Sequence, residues 1–324
     1  MNKTLFIVDV NEKVGNGHLS RSLKLIKILK TKSKCYLLGE KKFFPKNNLQ
    51  IFNTNLNEID NYKKKLPEFD LIVIDSYRFR TQIIKFGRKL SNKILIIDDF
   101  IKDYSGSNYI INQNPLIKKK DYKNFNKNKI FCGSKYTFVD LNLKRKQKIN
   151  FNKIKFFINC GLYDQKNQLL EILVFLNKLK NLFEFTCFVA ISKKSINFKK
   201  IKNFTKKNSC FSLIENQSDY LIKLKSCNIS ICPLGVSVWE RFQLAMPVFT
   251  FITDKNQNIV FKRLQKNKNI FNFQYKKKKY KNIFLNQISN LELLKRISIR
   301  NEKIFYNNKS NLIKVFKNIY KNRI

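Results

Sequence analysis

The chain has 324 residues, 43% of them hydrophobic, which is enough for two ordinary domains with sizeable cores. It contains no run of roughly 18 uncharged apolar residues, which argues against a transmembrane helix. Seven cysteines at positions 35, 132, 160, 187, 210, 227 and 232 form no CxxC pair, which argues against a disulfide framework or a zinc site and for a reducing, cytoplasmic setting.

The net charge is +44, from 66 Lys and Arg against 22 Asp and Glu. A charge of that size raises nucleic acid or an anionic surface as partners. The competing reading is compositional: Lys, Asn, Ile and Phe are abundant together, while Gly, Pro, Trp and Met are scarce. The lysines are spread along the chain, and their densest runs (63–65, 118–120, 276–279) fall in apparent loops, as solvated faces do. No nucleic-acid partner is expected, and a charge-driven nucleic-acid binder stays as an alternative that salt-dependent binding would reveal. A short apolar run near the start is cut by Asp9, so no signal peptide is expected.

Residues 4–9 form a short apolar run that predicts a buried strand. A Gly-rich turn follows, Val14-Gly15-Asn16-Gly17-His18-Leu19-Ser20-Arg21, and then Leu19, Leu23, Ile26 and Leu29 recur at helical spacing. Residues 35–38 predict a second strand, while 41–65 are polar without clear period. The run 70–75 and the run 93–99 are apolar and end in acids, as buried parallel strands can. A helix is predicted over 81–90 and a strand over 109–111.

Residues 140–153 are polar and basic and predict an interdomain linker, placing the domains at 1–148 and 149–324. The pattern then restarts. Strands are predicted over 154–158, 183–190, 210–214, 228–232 and 247–252. Helices are predicted over 165–180, 196–206, 219–225, after Gly235 and after Asp254, with two or three more beyond residue 280. Strands alternating with helices predict two doubly wound α/β halves around a central cleft. Ligands in such sheets bind beyond the carboxyl ends of the strands, where His18, Tyr77, Asp98 and Asp99 would sit.

Four of the eight glycines, Gly15, Gly17, Gly161 and Gly235, occupy three predicted strand-to-helix turns. Backbone N–H groups at a helix start suit an anion, and glycine lets it approach; ordinary turn chemistry accounts for them equally. The first turn is not a dinucleotide fingerprint, because Ser20 replaces its third glycine. Glu240, early in a helix, can accept hydrogen bonds from a ribose diol or simply face solvent. His18 is the only histidine. With no Cys or His partner nearby it does not suggest a metal site, and no nucleophile-elbow motif supports a triad. Base catalysis on water is the chemistry it fits, with a structural role as the alternative.

These blocks resemble a known family in their order and spacing. Asp9 with the turn ending Gly17-His18-Leu19-Ser20-Arg21, then Ile74-Asp75-Ser76-Tyr77, Asp98-Asp99, Cys132-Gly133-Ser134-Lys135-Tyr136, Gly161-Leu162-Tyr163-Asp164 with Lys166-Asn167, Ser237-Val238-Trp239-Glu240-Arg241 with Pro247, and Asn256-Gln257 are similar to the UDP-sugar hydrolases of pseudaminic acid biosynthesis. Those enzymes release UDP from a diacetamido-trideoxy sugar. More distantly the chain looks like the UDP-GlcNAc transferase of lipid II synthesis, which shares the two-domain GT-B fold.

The resemblance implies that His18 assists water at the anomeric carbon, with Tyr77 and Asn256 orienting sugar or water. Asp9, Gly15, Gly17 and Arg21 would line the sugar side. Gly161, Asp164, Gly235 and Ser237 would surround UDP, Glu240 would hold the ribose and Gln257 would support the phosphates. It implies a UDP-sugar substrate, no cofactor and no metal, and the chain is expected to be a monomer. The family's second glycine and Ser/Thr in the 161–164 loop are Leu162 and Tyr163 here, and its Gly-rich turn before Ser237 is Cys232-Pro233-Leu234-Gly235-Val236. A glycosyltransferase, or a nucleotide-sugar-binding protein without activity, remains the alternative on the same fold.

Overall fold

Each predicted apolar run forms a strand, most of them buried on both faces, and every strand pairing in both sheets is parallel. The computed structural model describes every residue except 12–16, 45–48, 63–65, 79, 103, 124, 127–128, 140–142, 144–148, 162, 217, 306–310 and 322–324. The chain divides into two units, Met1–Val139 with Asn308–Ile324, and Asp140–Asn307.

The first unit contains strands β1 (Asn2–Val8), β2 (Ser33–Gly39), β3 (Gln50–Asn53), β4 (Leu71–Asp75), β5 (Ile94–Ile97), β6 (Tyr109–Asn112) and β7 (Ile130–Cys132). Its sheet order is β3-β2-β1-β4-β5-β6-β7. Helices α1 (Gly17–Leu29) and α2 (Arg80–Arg88) follow β1 and β4. Side-chain alternation along the strands splits the core into two layers. Phe6, Val8, Val73 and Ile97 pack with Leu25 and Leu29 of α1 on one face. Leu5, Ile7, Ile72, Ile74 and Ile96 pack with Ile83 and Ile84 of α2 on the other.

The second unit contains β8 (Ile154–Ile158), α3 (Gln168–Asn177), β9 (Phe185–Ala190), α4 (Phe198–Lys207), β10 (Phe211–Ile214), α5 (Asp219–Ser226), β11 (Ile229–Pro233), α6 (Val236–Gln243), β12 (Val248–Phe251), α7 (Asn258–Lys266), β13 (Phe271–Asn272), α8 (Tyr280–Ser289) and α9 (Leu291–Phe305). Its sheet order is β10-β9-β8-β11-β12-β13. Chain order reverses direction between β1 and β4 in one sheet and between β8 and β11 in the other. Those are the two topological switch points, and crevices beyond them are where such sheets take ligands.

The division differs from the predicted boundary at 148/149. It falls at Val139/Asp140, and the last helix, α10 (Leu312–Tyr320), returns to the first unit. The cause is its apolar stripe: Leu312, Val315, Phe316 and Ile319 recur at helical spacing and complete the layer under α1. Lys93 Nζ donates to the carbonyls of Ile319 and Tyr320 at 2.9 and 3.1 Å, satisfying the open end of the helix. β3, β7 and β13 were not predicted. β7 and β13 have three and two residues, too few for periodicity to mark them, and β3 (Gln50–Asn53) is polar and exposed at both ends, so no apolar run marks it.

Phe316→Ala removes a fully buried ring from this layer. It is expected to cost about 3–5 kcal/mol of stability, read as a lower urea midpoint; an unchanged midpoint would mean that α10 does not stabilise the first unit.

Candidate functional site

At the first switch point the organising group is the carboxylate of Asp75, the last residue of β4, which is fully buried. An unpartnered charge there would be prohibitively costly. Helix α1 supplies the partners. His18, Arg21 and Ser22 stand at i, i+3 and i+4, on one face of its first turns. His18 Nδ1 lies 2.5 Å from Asp75 Oδ1. Arg21 donates from Nε to Oδ2 at 2.8 Å and from Nη2 to Oδ1 at 2.5 Å. Ser22 Oγ donates to Oδ2 at 3.0 Å. Further along the same helix the buried positions turn apolar and dock it on the sheet.

Burial alone would raise the pKa of Asp75, but the Arg21 guanidinium, and after it His18, outweigh burial and hold the carboxyl well below the usual carboxylate range. Asp75 is therefore an acceptor only, and Nδ1 of His18 carries the hydrogen of the pair. In the neutral ring, that leaves the lone pair on Nε2. Arg21 Nη2 is 3.1 Å from Nδ1, a contact of two donors converging on one oxygen rather than a bond between them.

The network continues outward. Arg21 Nη1 also donates to Asp99, and so does the hydroxyl of Tyr77. Burial opposes ionisation of Asp99, yet Arg21 and the Tyr77 hydrogen bond bring its carboxyl below the usual range. Burial pushes the Tyr77 hydroxyl up, against Arg21 and with Asp99, so Tyr77 stays a neutral donor. Tyr77 is 37% exposed as a residue, and its ring meets the His18 ring edge-on at 4.3 Å. Asn114 Nδ2 donates to the other oxygen of Asp99 at 3.3 Å. Beside this chain of partners, Asp9 follows β1 and receives Arg78 Nε and Nη2 at 3.0 and 2.7 Å and Ser76 Oγ at 3.2 Å.

At the second switch point the loop after β8 turns through Gly161 (φ 77), Asp164 (φ 48) and Asn167 (φ 54), left-handed positions that glycine adopts freely and Asp and Asn tolerate better than other side chains. The buried Asp164 carboxylate accepts from the N–H groups of Gln168 and Leu169 at 2.9 and 3.1 Å and so caps α3. Burial raises its pKa, and these two N–H groups oppose that rise. Gly235 stands before α6, and a side-chain carbon built there meets nothing within 4 Å. Ser237 lies in the first turn of α6. Glu240, one turn later, accepts from Arg241 Nη1 at 2.9 Å. Asn256 and Gln257 follow β12, and Gln257 Oε1 accepts from Thr253 N at 2.8 Å, folding its amide back onto the turn that starts α7.

Of the sequence-predicted site residues, the structure brings Asp9, His18, Arg21 and Tyr77 together at the ends of β1, β4 and β5. It places Gly161, Asp164, Gly235, Ser237 and Glu240 at the ends of β8 and β11, and Asn256 and Gln257 beyond β12. Gly17 opens α1, and Gly15 lies outside the described residues. Asp164 and Gln257 spend their side chains on caps. Asp75, Asp99, Arg78 and Arg241 belong to these clusters although no role was predicted for them. The acid ending each apolar strand run was the available signal for the first two. Among the described residues no three His, Cys, Asp or Glu are grouped to hold a metal ion, and no helix is long and apolar enough to cross a membrane.

No protein-family model and no curated protein sequence matches the chain. Solved structures do. MurG of Acinetobacter baumannii aligns over 98% of this chain and 99% of its own, at a TM-score of 0.67 and 11% identity. The UDP-GlcNAc 2-epimerase of Neisseria meningitidis, solved with UDP-GlcNAc bound, aligns over 99% and 100%, at 0.66 and 12%. Alr3699/HepE of Anabaena, solved with UDP and glucose, aligns over 99% of each chain, at 0.62 and 10%. At these identities the likeness is one of fold, and the chain has two parallel-sheet, Rossmann-like domains of the GT-B type.

Asp75 and Asp99 have lowered pKa values, so the stability they contribute is complete above about pH 4, the range of an unfolded Asp, and is lost as pH falls toward their folded values. Asp75→Asn strands Arg21 and is expected to cost about 3–5 kcal/mol at pH 7 while flattening the acid limb. Urea midpoints from pH 3 to 7 test this, and parallel curves for the two proteins would contradict it.

Proposed function

We propose that the chain hydrolyses a UDP-linked diacetamido-trideoxy sugar to the free sugar and UDP, in nonulosonic (pseudaminic) acid or surface polysaccharide biosynthesis. The observation that carries this reading is the His18–Asp75 pair at the first switch point, because it presents an imidazole lone pair at a strand end where sheets of this kind bind ligands. The block resemblance supplies the substrate class, and UDP-holding proteins of the same fold support it.

In the proposed reaction, water attacks the anomeric carbon and loses a proton to His18 Nε2 as the carbon–oxygen bond to UDP breaks; the electron pair leaves with the diphosphate. UDP is a good leaving group, so the work left to the protein is placement of the water and stabilisation of departing charge. Tyr77 and Asn256 orient water and sugar. Asp9 and Arg21 act through the groups they hold: Arg21 fixes Asp75 and thereby the ring of His18, and Asp9 fixes Arg78. In the second unit, Gly161, Gly235 and Ser237 surround the diphosphate, with the open approach before α6 suited to an anion at a helix start. Glu240 takes the ribose, while Asp164 and Gln257 shape the loops around the nucleotide.

Incubation with UDP-linked diacetamido sugars and an assay for free UDP tests the proposal. Release without an acceptor supports the hydrolase; release only with an acceptor makes the protein a transferase on the same fold, and binding without release makes it a nucleotide-sugar receptor. His18→Ala is expected to lower kcat by about 100-fold or more with UDP affinity kept, and near-parental turnover would remove His18 as the base.

A further inference from the structure

Arg241 has 0% of its surface exposed, and burying a guanidinium is costly unless its donors are met. They are met unevenly. Nη2 donates to Asn159 Oδ1, in the loop after β8, and to the Tyr220 hydroxyl on α5, both at 2.9 Å. The guanidinium carbon lies over the rings of Phe157 and Tyr220, at 5.2 and 5.9 Å from their centroids. One arm of the fork is thus tied to the body of the unit. The other arm, Nη1, ends on Glu240 Oε2 at 2.9 Å, and Glu240 keeps 19% of its side chain exposed.

Neighbouring residues on a helix point about 100° apart and do not normally meet. An ion pair between positions 240 and 241 therefore needs the carboxylate turned toward the guanidinium, and the buried anchors decide where that guanidinium is. Nε of Arg241 has no hydrogen-bond partner among the described residues, so the side chain is placed for its two terminal nitrogens at the expense of the third. Burial opposes the charge on Arg241, but its surroundings outweigh burial and keep its pKa above the ordinary guanidinium value, so Arg241 stays a cation.

We propose that Arg241 is a positioning residue for nucleotide recognition: it orients the Glu240 carboxylate to accept both hydroxyls of the ribose. The inference rests on the UDP reading of the second unit. Lysine cannot replace the fork, because a single ammonium cannot reach Asn159, Tyr220 and Glu240 with its separate arms.

Titration calorimetry of UDP and of 2′-deoxy-UDP tests it. The parent protein is expected to bind UDP about tenfold more tightly, the worth of one hydrogen bond to a carboxylate. Arg241→Lys is expected to reduce that preference to about twofold or less, as Glu240→Ala does, and the double variant to reduce it no further. Should Arg241→Lys fail to fold, Tyr220→Phe, which keeps the ring and removes one anchor, is expected to reduce the preference by about half on the logarithmic scale. A purely structural role would weaken both nucleotides alike with the preference intact, and that result overturns the proposal while leaving the UDP reading standing. No UDP binding, or no preference in the parent protein, overturns the UDP or ribose reading and this inference with it.

Discussion

One buried carboxylate decides the arrangement of the first unit. Asp75 ends the strand at the switch point, with no solvent to share its charge, so its oxygens take their partners from the helix that follows β1. Three consequences descend from that need. The first turns of α1 must present polar groups inward at helical spacing, where the rest of the helix presents apolar ones. The tautomer of His18 is set by the acceptor it faces. The remaining arm of Arg21 must find a second carboxylate, which brings in Asp99 and, through it, the hydroxyl of Tyr77. Each link holds the next at a defined orientation, and a neutral residue at position 75 would leave a buried guanidinium half paired.

The second unit solves the corresponding place in its sheet with the opposite charge. There the buried centre is the Arg241 cation, held by an amide and a phenol that are neutral and by a carboxylate that reaches the surface. A buried anion with a histidine is suited to moving protons. A buried cation with an outward carboxylate is suited to accepting hydrogen bonds from hydroxyl groups.

Much of the fold is legible in the sequence because parallel strands buried on both faces read as unbroken apolar runs, and residues 70–75, 93–99 and 154–158 are such runs. β7 and β13 are too short to carry a period, and β3 has polar, exposed ends, so none of the three stands out as an apolar run. The return of α10 was missed because its stripe says only that it buries a face, not which sheet receives it. The site was half legible. His18 and Tyr77 stand out by type and place, but the partner of His18 lies 57 residues away, a separation that only the β1–β4 pairing closes. Asp164 and Gln257 look like ligand-binding groups in the sequence, whereas the structure engages their side chains in caps, a use that needs only a free helix end nearby.

The charge of the chain gives the acids more meaning than the lysines. Among 66 cationic and 22 acidic residues, a lysine on a solvated face costs little wherever it falls, since exposed charges interact weakly. An acid taken out of water must be partnered by specific geometry. Among the described residues the buried acids are Asp9, Asp75, Asp98, Asp99 and Asp164. The first four end or directly follow β1, β4 and β5, and the fifth lies in the loop after β8. None is buried at the amino-terminal ends of the strands, where packing would serve as well with apolar residues. A bias toward lysine can thus load the surface without touching the site, because the constraint at the strand ends is electrostatic satisfaction of a few carboxylates, and that constraint is indifferent to the net charge around it.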